Sequence, residues 1–93
     1  MVAAAPNLTQ AEVLVLEAPR PAPTEGQVEF EVELVRAAPV AGQHEMLASR
    51  VGQRMLVRGR LEWLPALEIG APVVLFLEVV GPNAPVQVRP GGR

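Results

Sequence analysis

The stretch VGQRMLVRGRLEW, residues 51–63, decides the fold of this chain. Read with a period of two, it sets Met55, Val57, Gly59, Leu61 and Trp63 on one face and Arg54, Leu56, Arg58, Arg60 and Glu62 on the other. Successive side chains of a strand point to opposite faces, so this alternation is the pattern of a strand buried on one side. A strand so regular predicts a sheet. Its outward face carries three of the eight arginines and gathers positive charge in a chain whose formal net charge is −2. That face is the first candidate for a functional surface.

Outward from this stretch the same period recurs. In residues 27–36, Val28, Phe30, Val32 and Leu34 point one way while Gln27, Glu29, Glu31 and Glu33 point the other. Residues 11–17 (AEVLVLE) form an earlier strand, and APRPAP at 18–23 is a stiff extended connector, because alternate prolines remove backbone donors. Residues 43–50 (QHEMLASR) place Met46, Leu47 and Arg50 at helical spacings, with Gly52 positioned to end a short helix. Residues 73–80 (VVLFLEVV) are apolar at nearly every position, as in a strand covered on both faces or one buried in a subunit contact. Residues 1–10 are expected as a loose arm and residues 89–93 as a mobile tail, leaving one domain over 11–88. The predicted class is all-β, a small barrel of four or five strands with one short helix. Strands of these lengths suit the oligonucleotide/oligosaccharide-binding (OB) fold.

Composition bounds the chemistry. All ten acidic residues are Glu, all eight basic residues are Arg, and Lys, Asp, Cys and Tyr are absent, a skew expected from a GC-rich codon bias. Aromatics are limited to Phe30, Trp63 and Phe76, so the core must be built from Val and Leu. The only hydroxyl nucleophiles are Ser49, Thr9 and Thr24, and the only imidazole is His44, too few for a catalytic triad. The expectation is a non-enzyme without cofactor. His44 beside Glu45 lacks a second ligand nearby, and the Glu29, Glu31, Glu33 row reads as cross-strand pairing before it reads as a metal site. No apolar run reaches the ~18 residues of a membrane helix, and residues 1–6 lack the features of a signal peptide. The expected location is the cytoplasm.

Three segments carry a family likeness. TEGQVEFEVEL (24–34), VGQRMLVRGRL (51–61) with its Gly-x-Leu ending, and the apolar residues 75–80 together resemble the bacterial single-stranded-DNA-binding proteins, including the shorter primosomal replication protein B. The resemblance implies an OB-fold barrel, a homo-oligomer such as a dimer or tetramer, and binding of single-stranded nucleic acid in replication or repair. In that reading Arg54, Arg58, Arg60 and Arg36 contact phosphates and Trp63 or Phe30 stacks a base. The sequence departs from the family between Arg36 and Arg50, where a further strand has no room, and in lacking most of its base-stacking aromatics.

Two alternatives stay open. Spacing also places Phe30 and Trp63 in the core, and if the two alternating strands are neighbours, Glu29, Glu31 and Glu33 answer the arginines. The chain is then an OB-fold module for protein interaction or assembly, with nucleic-acid binding reduced or lost.

Overall fold

A computed structural model describes residues 6–91. Six strands follow in chain order: β1 (Thr9–Val15), β2 (Arg20–Pro21), β3 (Gln27–Pro39), β4 (Arg54–Arg60), β5 (Pro72–Glu78) and β6 (Val86–Arg89). Five of them form a closed barrel in the order β1-β3-β4-β6-β5 and back to β1, while β2 adds a two-residue ribbon outside β3. Every pairing is antiparallel except β4 with β6. This is an OB-like barrel, all-β as the alternation predicts.

The length of β3 is what closes it. Its first part pairs with β4 from Gln27↔Arg60 to Glu33↔Arg54, and its second part pairs with β1 from Val32↔Val15 to Pro39↔Thr9. Between the two, the register slips where Val13 faces Leu34 but Glu12 faces Arg36, so Val35 is an extra, bulged residue and lies exposed. A bulge bends its strand and resets which side chains point inward. The strand can therefore serve both neighbours.

Inside the ring, Ala11, Val13, Val15, Phe30, Val32, Leu34, Val57, Leu75, Leu77 and Val88 are buried, a core of Val and Leu around one phenylalanine. Each such Val, Leu or Phe side chain contributes roughly 1.5–3 kcal/mol on burial. The strand β5 is central, paired to β1 and β6, with Leu75 and Leu77 inside and Val74 exposed outside.

Three expectations need correction. No α-helix forms over residues 43–50, where only Ala48–Arg50 makes a 3-10 turn. Glu45 is the cause: its carboxylate accepts the N–H of Leu47 at 2.6 Å and of Ala48 at 3.1 Å, holding a turn while Leu47 drops into the core. Gly52, at φ 91°, then donates its N–H to Leu34 C=O at 2.7 Å, and Gln53 C=O accepts Leu34 N–H at 3.0 Å, which steers the chain into β4.

The second concerns the ends. Of the arm expected over 1–10, residues 1–5 lie outside the described residues, while Asn7 and Thr9 are buried and β1 begins at Thr9. Of the tail, residues 92 and 93 lie outside the described residues, Arg89 belongs to β6, and Gly91 packs against the Phe76 ring. Finally, β4 stops at Arg60, and Leu61–Trp63 turn in a 3-10 segment. Leu61, expected inside, is 63% exposed because the turn breaks the period of two.

Candidate ligand face and the barrel seam

In OB folds the second and third barrel strands and the flanking loops make the binding face. Here those strands are β3 and β4, whose outward side chains are the glutamate row and the arginine row. Register sets Gln27 opposite Arg60, Glu29 opposite Arg58, Glu31 opposite Leu56 and Glu33 opposite Arg54. The two charged rows therefore meet each other.

Arg58 is the most committed. Its guanidinium donates to Glu29 Oε1 at 3.2 Å, with the two side chains only 21% and 11% exposed, and its Nε is buried without a hydrogen-bond partner. Glu29 also accepts from Arg20 at 3.4 Å, and Arg20 in turn bonds Glu17. The result is a chain of alternating charges, Glu17, Arg20, Glu29 and Arg58, running across β2, β3 and β4. Arg58 is held inside that chain rather than offered to solvent.

The other arginines are looser. Arg54 reaches Glu31 at 3.9 Å, Arg60 reaches Glu62 at 3.8 Å and Arg36 reaches Glu12 at 4.0 Å. Exposed pairs of this kind contribute about 0–1 kcal/mol each. Arg36 is not part of the same patch: it pairs toward β1 and lines a separate groove of about 220 Å³ with Gln10, Glu12, Ala38 and Val74.

The two aromatic stacking candidates differ: one is closed and the other half-buried. Phe30 is fully buried. Trp63 packs against the core, and the Arg60 guanidinium sits over its ring, 5.6 Å from the centroid. Among the described residues no cluster of His, Asp and Glu could hold a metal ion. Glu45 acts as a cap instead, and His44 is fixed through its backbone, its C=O accepting from Leu8 N–H at 3.1 Å.

Glu17 shows what the charge chain does electrostatically. Its hydrogen bond from Arg20 holds its carboxyl below the ordinary carboxylate value, opposed by desolvation and helped to a lesser extent by the N–H of Glu31 at 2.9 Å. A lowered carboxyl stabilises the fold above its unfolded pKa, and the contribution disappears as pH falls through the folded value. An NMR titration of Arg20→Ala is expected to raise the Glu17 midpoint. An unchanged midpoint would refute the Arg20 contact.

One feature escaped the sequence reading. Where β4 meets the loop before β6, a groove of about 270 Å³ opens, lined by Arg50, Arg54, Met55, Leu56 and residues 82–86. Arg50 is the one described arginine with no carboxylate within 4.0 Å. The sequence signal was GPNAP at 81–85, a turn with two prolines that cannot donate to a ladder, which reads from sequence merely as the end of a strand.

Comparison of the chain with protein-family models, with characterised proteins and with solved structures returns no match.

Proposed function

We propose that this barrel is a non-enzymatic interaction module that binds other proteins, with nucleic-acid binding reduced or lost. The observation that supports it is the pairing of the arginine face with the protein's own carboxylates, Arg58 locked in register to Glu29 and Arg54 and Arg60 more loosely near Glu31 and Glu62. Phosphate binding draws its strength from cations that displace condensed counterions. An arginine already matched to a carboxylate has little of that to give. With Phe30 buried and Trp63 half-buried beneath Arg60, the base-stacking contribution of ~1–3 kcal/mol per base is curtailed too.

A second reading, binding of single-stranded nucleic acid, draws on the exposure of the Arg54 and Arg60 side chains, 72% and 54%, and on the family resemblance. One titration decides between them. Labelled oligo(dT) is added at low and at moderate salt to the parent and to Arg54→Glu/Arg60→Glu. No salt-dependent binding is expected. Binding that weakens with salt and falls in the double variant would overturn the interaction reading and install the other.

A further inference from the structure

The barrel seam is incomplete beside Arg50 and Arg54. The parallel contact between β4 and β6 consists of Val57↔Val86 and Arg58↔Gln87, so the first three residues of β4 have a strand neighbour on the β3 side only. Backbone groups alternate sides along a strand, and Gln53 C=O points to β3, where it accepts Leu34 N–H. The N–H and C=O of Arg54 and the N–H of Leu56 accordingly face the seam. No backbone hydrogen bond joins them to the loop at 79–85, whose Pro82 and Pro85 have no N–H to offer.

The groove over this edge has three properties at once. It presents unladdered backbone. Its floor reaches the nearly buried Met55 and Val86. Its rim carries Arg50, without a carboxylate partner, and Arg54, 72% exposed with its nearest carboxylate at 3.9 Å.

Resting on the interaction reading above, we infer that the seam groove takes a short extended acidic peptide segment of a partner protein. The segment adds as a strand along residues 54–56, sets an apolar side chain on Met55 and Val86, and places its carboxylates against Arg50 and Arg54. Strand addition draws affinity from main-chain hydrogen bonds and specificity from pockets for alternate side chains. A nucleic-acid strand fits less well, since it has no use for the strand edge and no aromatic lines the groove. The chain already contains a segment of the required pattern: residues 27–34, QVEFEVEL, form a ladder with β4 on its other side.

The test uses that octapeptide, labelled with fluorescein, and fluorescence polarisation with the full chain. Binding is expected, at least tenfold weaker for Arg50→Glu/Arg54→Glu, and absent for the peptide with its three Glu changed to Lys. Ala84→Trp, which fills the groove from an exposed loop position and leaves both arginines in place, is expected to weaken it similarly. Unchanged affinity in either folded variant overturns the site. Failure of the peptide to bind, with oligo(dT) also inert, refutes this inference and leaves the interaction reading standing. Displacement of the peptide by oligo(dT) overturns both.

Discussion

Gly59→Val is expected to destabilise the fold by about 3 kcal/mol or more, the upper end of what overpacking a core does. Gly59 lies on the inner face of β4 where β6 crosses it. A Cβ built there would meet Val88 Cβ at 2.6 Å, Val88 Cγ2 at 3.2 Å and Val88 C=O at 3.4 Å. A clash with Cγ2 alone could be relieved by rotating the valine. A clash with Cβ cannot, because that atom is fixed to the backbone, so β6 itself must move away. The parallel contact that holds β6 to β4 is only two residue pairs long, and moving it opens the barrel along its shortest seam.

Urea unfolding followed by far-UV circular dichroism measures this. Gly59→Ala is expected to show the smaller part of the same loss, about 1–3 kcal/mol. Adding Val88→Ala should recover little, since it leaves the 2.6 Å contact in place, whereas Val88→Gly in the Gly59→Ala background removes it. A favourable coupling in that last cycle is the specific signature of contact between positions 59 and 88. A Gly59→Val protein within about 0.5 kcal/mol of the parent, the range of an inert surface change, would refute the close approach.

Gly59 also shows how far the sequence could be read. Its alternation with Met55, Val57 and the arginines places it inside the barrel, but nothing local says that the opposing strand is β6 or that it passes so near. The alternating strands β3 and β4 were legible because each buries one face, and a period of two is a local property. Their pairing was legible as a possibility, but nothing local sets the register that puts Glu29 against Arg58, and the bulge at Val35, which resets β3 against β1, leaves no trace in the hydropathy pattern. Residues 43–50 misled for the same reason in reverse. Met46, Leu47 and Arg50 satisfy helical spacing, but a single carboxylate, Glu45, captures the amides of Leu47 and Ala48 and accepts from the Thr9 hydroxyl at 3.2 Å on a distant strand. The seam groove is the most non-local feature, formed where β4 meets a loop more than twenty residues later. No periodicity can announce it.

The other large effect is expected at Asn7, which the sequence left in an arm. Its side-chain amide imitates a strand partner for Val79, the residue that follows β5: Nδ2 donates to Val79 C=O at 2.9 Å and Oδ1 accepts Val79 N–H at 2.9 Å. Asn7 is 4% exposed, so water cannot easily replace it. Asn7→Ala therefore strands a donor and an acceptor together, at roughly 1–3 kcal/mol for each group left unsatisfied, and the expected loss in urea unfolding is about 2–6 kcal/mol by the same principle. Asn7→Asp separates the hydrogen bonds from mere packing. Ionised, the carboxylate still accepts the Val79 N–H but turns a negative oxygen toward the Val79 C=O, which favours the neutral form and raises the folded pKa above the unfolded one. A raised carboxyl contributes its stability below the unfolded pKa and loses it as pH rises through the folded pKa. The deficit of Asn7→Asp against the parent should accordingly be large near neutral pH and shrink toward about pH 4, near the ordinary carboxylate pKa, while the deficit of Asn7→Ala stays flat. A flat deficit for both variants would mean that Asn7 fills space and that the two hydrogen bonds to Val79 do not hold the start of the barrel.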